Sequence, residues 1–329
     1  MQALVSFTSA RRIVLSALAF LPAAVLAQSL PAGCHTGEIT TLPLTIRDDS
    51  LPIVETRVNG HAVPSMLDTG LQFATSLDKK TLEGFGVRVR SMESTYAGID
   101  VMTALMDHVA LGPTEYKKTW FVVNDLADEG VGAKIGANIL FRTDVEIALA
   151  ERYLKFFKPS GCFRAKLAYW DAAAPSVPFT IHPLKKDMRP WFKVRVNGNE
   201  ISAVISTASS HSYMDLFTAQ RMGLSAESAG AKRLAPVEGW HGRKQEVWSV
   251  PVAEMSIGDL KLKNVDMRLL NLGVAGEMLI LGADFLRQHR VYVAMSQNRI
   301  YFSPVNAKPA PSGATSTFSA QAGGGAQAH

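Results

Sequence analysis

Only two of the 329 residues are cysteine, Cys34 and Cys162. That scarcity excludes a scaffold built from several disulfides, and it excludes a thiolate zinc cage, because two thiols without a histidine cluster make no site. The eight histidines are scattered, so no metal is expected, and packed or solvated roles are the default for each. Charge is also sparse: 19% of residues are Asp, Glu, Lys or Arg, with a formal net charge of +5. Arg11 and Arg12 supply two of those positive charges, and residues 1–27 carry no acid, so the rest of the chain holds only 5 − 2 = +3. Such a weak, dispersed excess does not point to nucleic acid. There is no glycine-rich phosphate loop and no cofactor motif, and no apolar run is long enough to favour a membrane span.

The first residues form an export signal. Arg11 and Arg12 make a short basic region, residues 13–26 are apolar, and Val25-Leu26-Ala27 offers small residues for cleavage after Ala27. The expected location is periplasmic or secreted, with an uncleaved anchor as the alternative. Pro31-Ala32-Gly33-Cys34 is a poor lipoprotein site, since Pro31 stands where Leu is expected. In an oxidising compartment Cys34 and Cys162 would most simply form one disulfide, clamping the start of a module to its end.

What the chain does contain is an internal repeat. Asp68-Thr69-Gly70 follows Val63-Pro64-Ser65-Met66-Leu67, and Ser206-Thr207-Ala208 follows Ile201-Ser202-Ala203-Val204-Ile205. The shift is 206 − 68 = 138, and it also maps Val58-Asn59-Gly60 onto Val196-Asn197-Gly198. Farther on the shift becomes 146: Ile135-Gly136 falls on Leu281-Gly282, and Val145 and Ile147 fall on Val291 and Val293. The difference, 146 − 138 = 8, predicts a surface insertion in the second copy between Leu224 and Val250.

The composition of these segments is that of strands. Two apolar-alternating runs end in Asn-Gly, the turn chemistry of a β-hairpin. Short helices are expected at 78–85, 216–222, 138–142 and 284–288. The layout is a first lobe over 28–158, a linker over 159–176, a second lobe over 177–304 and a disordered tail over 305–329. Ala172-Ala173-Ala174-Pro175 reads as the loosest part of the linker.

An Asp after an apolar strand and before Thr-Gly lies where the chain turns sharply out of a sheet, and Gly lets backbone amides approach the carboxylate. This pattern, followed at a distance by apolar-Gly and a short helix, resembles the retropepsin-like aspartic proteases, in a tandem two-lobe bacterial-type form with a degenerate second lobe. The resemblance covers both copies. It implies an all-β fold of two acid-protease barrels in tandem, related by a pseudo-two-fold axis. It further implies peptide or protein substrates, with catalytic Asp68 at the centre supported by Thr69, Gly70, Ser206, Thr207 and Ala208. In that family two acids share a proton over one water, because like charges that close cannot both ionise. Flap hairpins cover the substrate; by analogy their tips fall at Tyr96-Ala97-Gly98 and Trp240-His241-Gly242, although a turn with a packed aromatic explains those residues equally well.

Three departures stand out. Ser206 replaces the second Asp, Ala208 replaces Gly and tightens the turn, and Leu71 stands where the family has Ala or Ser. Losing one arm of acid–base catalysis costs about 10²–10⁴-fold. The expected function is therefore an exported aspartic endopeptidase of low activity, with a catalytically silent peptide-binding protein as the alternative. A homodimer pairing two Asp68 side chains is a further possibility. The crowd of Ser206, Ser209, Ser210, His211, Ser212 and Asp215 is not a serine-hydrolase site, because no Gly-x-Ser-x-Gly elbow frames it and neighbours on one turn cannot form the triad geometry.

Overall fold

In the computed structural model the described residues are 31–305, less 49, 73–74, 87–89, 97–98, 127–129, 186, 239–243 and 274–277, together with 315–317. The expected leader, residues 1–27, lies outside them. The chain is all-β, with 58% strand against 9% helix.

Six strands close the first barrel. They are β1 (Leu51–Val58), β2 (His61–Asp68), β3 (Ser76–Asp78), β4 (Ile99–Leu111), β5 (Thr114–Asn124) and β6 (Ala133–Gly136). The ring runs β1-β2-β6-β3-β5-β4 and returns to β1 through Thr56–Leu111 and Val58–Val109. Asn59 and Gly60 both take positive φ, 48° and 86°. That twist suits a two-residue hairpin, so Val58 pairs directly with His61. Along β1 the buried positions alternate (Pro52, Val54, Thr56, Val58), which points one face into the barrel. The buried Thr56 hydroxyl is satisfied by Ser65 Oγ at 2.6 Å.

The second barrel is β7 (Asp187–Val196), β8 (Asn199–Ile205), β9 (Tyr213–Asp215), β10 (Lys244–Ile257), β11 (Leu260–Leu270) and β12 (Leu279–Leu281). Its ring runs β7-β8-β12-β9-β11-β10 and closes through Arg195–Ser256. Every pairing has the same sense as its counterpart in the first barrel, including the parallel pairs β2–β6 and β8–β12. Those parallel pairs set Asp68 beside Gly136 and Ile205 beside Leu281.

Between the barrels runs a six-strand antiparallel sheet in the order Glu38–Pro43, Tyr153–Phe157, Asp144–Ala148, His289–Ala294, Arg299–Pro304, Ser176–His182. At its centre Glu146 pairs with Tyr292. Since 292 − 146 = 146, each of these residues faces the position that the repeat maps it onto. Such a self-pair lies on a two-fold axis. One apolar core runs through both barrels and this sheet, and Phe192, Phe285 and Phe302 meet in it.

Among the described residues four short α-helices accompany the strands: α1 (Lys79–Gly84), α2 (Ala137–Leu140), α3 (Leu216–Arg221) and α4 (Ala283–Leu286). Asp78 caps α1 by accepting from Thr81 N, and Asp215 caps α3 by accepting from Phe217 N. The other oxygen of each takes a loop amide, Leu126 N and Leu272 N respectively. These equivalent caps differ by 215 − 78 = 137, one less than the shift at Asp68. The segment after Ser206-Thr207-Ala208 is thus one residue shorter than its counterpart after Asp68-Thr69-Gly70, and the later excess is 146 − 137 = 9 residues rather than the eight expected.

The linker is packed rather than loose. Ala174 is buried, Ala173 N bonds Asp171 Oδ1, and Leu167 and Ala168 join Tyr292 and Tyr301 in a cluster behind the central sheet. Small residues there let the chain lie flat on the sheet, which composition alone read as flexibility. Cys34 and Cys162 form a disulfide beside that cluster. Of the tail, Thr315–Thr317 pair in parallel with Lys261, Leu262 and Lys263; its remainder beyond Val305 lies outside the described residues.

Candidate active site

Strands β2 and β8 end at the axis, and their motif loops lock together by reciprocal bonds. Thr69 N donates to Thr207 Oγ1 at 3.1 Å, and Thr207 N donates to Thr69 Oγ1 at 3.0 Å. Each hydroxyl then donates onward, Thr69 to Ile205 O at 3.1 Å and Thr207 to Leu67 O at 2.5 Å. Both threonines are fully buried, so four backbone groups of two loops are satisfied by two side chains. Only a residue with one donor and an acceptor on a short stem fits this exchange.

Asp68 projects beside the grip. Its Oδ1 accepts from Gly70 N at 2.9 Å and from Ser206 Oγ at 3.1 Å. The two residues that the repeat maps onto each other therefore touch, one acid and one hydroxyl. Burial pushes the Asp68 carboxyl up from its ordinary value. The Gly70 amide, the Lys134 charge, the Ser206 hydroxyl and the Arg189 charge pull the other way without cancelling it.

The glycines are set by contact. A Cβ on Gly70 would lie 2.5 Å from Ser206 Cβ and 2.6 Å from its Oγ. One on Gly282 would lie 2.3 Å from His211 O, and one on Gly136 would lie 3.3 Å from a Leu71 methyl. Ala208 has room instead: it packs against the cluster of Met66, Leu126 and Val131 in the first lobe. The expected tightening at that turn is thus taken up by an apolar contact across the lobes.

Behind the loops Thr75 and Ser212 play one role. Gly136 N donates to Thr75 Oγ1 and Gly282 N to Ser212 Oγ, and these hydroxyls donate to Asn138 and Asp284. Ser209 Oγ donates to His211 O, and the His211 ring lies 3.9 Å from Asp284. The Ser209 and Ser212 hydroxyls donate to His211 O and Asp284 Oδ1, so the chemistry of the cluster is that of a braced turn.

Two antiparallel hairpins lead toward the positions named as flap tips. Arg90–Tyr96 pairs with the start of β4, where Tyr96 meets Ile99, and Lys232–Glu238 pairs with β10. The tip residues Gly98, Trp240 and Gly242 lie outside the described residues.

Sequence reading missed a charged group beside the acid. Arg189 is almost fully buried and forms a two-point ion pair with Asp187, Nε to Oδ1 at 2.9 Å and Nη2 to Oδ2 at 2.8 Å. Trp191 Nε1 donates to Asp187 Oδ2 at 2.9 Å, and the guanidinium lies 4.8 Å from the Trp191 ring centre. The remaining nitrogen, Nη1, reaches Gly70 O at 3.4 Å. The trace of this group in the sequence is that the 138 shift lays Arg189-Pro190 on Leu51-Pro52, a charge where the other copy is apolar.

A profile of the family described as "gag-polyprotein putative aspartyl protease" matches residues 192–288. That span is the lobe carrying Ser206-Thr207-Ala208, so the match follows the scaffold rather than the acid. Among solved structures, a retropepsin-like aspartic protease from Rickettsia conorii is similar at 20% identity and a TM-score of 0.30, covering 39% of this chain and 96% of that one. No curated protein matches the chain. The fold is retropepsin-like.

Proposed function

We propose that the protein is an exported aspartic-type endopeptidase in which one carboxylate, Asp68, activates water at a groove between two copies of one module. The observation that carries this reading is the reciprocal Thr69–Thr207 grip holding Asp68 within hydrogen-bond reach of Ser206. Matching ring orders and the Glu146–Tyr292 self-pair support the duplication. In this scheme Asp68 takes a proton from water as it attacks the peptide carbonyl, then returns it to the leaving amine. Ser206 donates to the carboxylate and aims it, but it supplies no second acidic proton. The rate should lie about 10²–10⁴-fold below that of a two-carboxylate site. The single-chain site already occupies the face that two Asp68 residues from separate chains would share, so we favour it over a homodimer.

A peptide-binding protein without activity is the second reading, favoured by the loss of the second acid at Ser206. A peptidase assay on mixed peptides separates the two. Activity that disappears in Asp68→Asn supports the enzyme; activity that survives comes from elsewhere, and none in either protein supports the binding reading.

A further inference from the structure

Two lobes that share a fold differ where the second reaches across to the motif loop of the first. In the first lobe Leu51 and Ile53 pack on the same apolar cluster, Met66, Leu126 and Val131, that receives Ala208 of the second. At the position mapped onto Leu51 the second lobe offers Arg189 to the loop that carries Asp68, and Trp191, mapped onto Ile53, stacks on its guanidinium. Of the mapped pair Leu51 and Arg189, the one that reaches the acid's loop carries the charge.

We infer that Arg189 is a positioning residue for Asp68, fixing its loop through the Gly70 carbonyl and supplying, with Lys134, the positive charge that keeps a solitary half-buried carboxylate usable as a base. The inference rests on reading Asp68 as that base. Its geometry is a chain of contacts: Arg189 Nη1 to Gly70 O, then Gly70 N to Asp68 Oδ1. Arg189 cannot easily swing away, because Asp187 takes its other two nitrogen directions and Trp191 covers its face. A proton-sharing pair keeps one acid charged by giving the other the proton. With Ser206 opposite, no such partner exists, and burial pushes the carboxyl up. The charged groups that bear on it are Lys134 on the neighbouring strand β6 and Arg189 from the other lobe, both of which favour the ionised form. Asp187 partly offsets Arg189, being bound to it.

The test is a carbon-13 NMR titration of the Asp68 carboxyl in the mature chain, comparing wild type with Asp187→Asn/Arg189→Leu, which removes both charges and restores the residue found at the mapped position. The expected result is an upward shift of the Asp68 midpoint by about half a unit, less than the roughly one to three units of an unshielded Asp–Arg pair. The low-pH limb of any peptidase activity should move with it. Arg189→Lys, which keeps the charge and loses the fork, should hold the midpoint while moving the Gly70 amide resonance. Should the leucine variant not fold, Asp187→Asn/Arg189→Gln is titrated to the same criterion. An unchanged midpoint in the folded double variant overturns the inference. Because the titration needs no turnover, a shifted midpoint in an inactive protein would sink the peptidase reading and leave the electrostatic role standing.

Discussion

At the scale of single residues, the site depends on hydroxyls that cannot be exchanged for methyl groups. Thr207→Val keeps shape but strands the buried Thr69 amide and the Leu67 carbonyl. Unsatisfied buried groups cost about 1–3 kcal/mol each, so urea unfolding should show a loss of about 2 kcal/mol or more. A second residue sets a pH dependence. Burial pushes the His289 imidazole down to about 4, and its Nε2 is buried without a partner. The unfolded chain takes up that proton near pH 6.5, so the contribution is complete above about pH 6.5 and lost as pH falls toward 4. Relative to wild type, His289→Gln should flatten this slope by up to about 3 kcal/mol, read from unfolding at several pH values. Asp68 and Asp144, both pushed up by burial, act oppositely, stabilising at low pH and losing that as pH rises through their folded values. Only the difference between variant and parent isolates the histidine. Asp68, Thr69 and Thr207 were legible because the repeat keeps them in phase. Arg189 was not, because the group it touches is 119 positions away in the other lobe.

At the scale of elements, the central sheet and the linker behind it hold the lobes in register. Glu146 is wholly buried, and it accepts from Tyr153, Tyr169 and Arg290 at 2.8, 2.7 and 2.6 Å. Arg290 also lies 4.4 Å from the centre of the Trp170 ring. Burial and the Glu146 charge push both tyrosine hydroxyls up, so they remain donors. Arg290→Met leaves the acid buried without its cation and should cost about 3–5 kcal/mol, measurable by chemical denaturation. The Cys34–Cys162 disulfide spans 128 positions. In the chain-entropy account a loop of that size contributes about 4–5 kcal/mol, so thiol reductant should lower the melting temperature clearly. Hairpins were readable from Asn-Gly, and helix starts from Asp78 and Asp215. The one-residue shortening after the second motif was hidden, because a three- and a four-residue turn end at the same hydroxyl, Ser212 or Thr75.

At the scale of the whole molecule, two closed rings of like order meet across an axis marked at one end by Thr69 and Thr207 and at the other by Glu146 and Tyr292. The two motif loops are unlike: one carries Asp68 with the charges of Lys134 and Arg189 bearing on it, the other the hydroxyl of Ser206 and the methyl of Ala208. The fold was legible because a constant shift over distant segments has few explanations other than a repeated module. The imbalance was only half legible: the lost acid is written in the motif, whereas the charge gathered around the surviving one is assembled from both lobes. The most direct measurement is the peptidase rate of Ser206→Asp against pH. The account predicts a gain of about 10²–10⁴-fold with an optimum moved into the acid range. A folded Ser206→Asp protein no faster than wild type at any pH would contradict it.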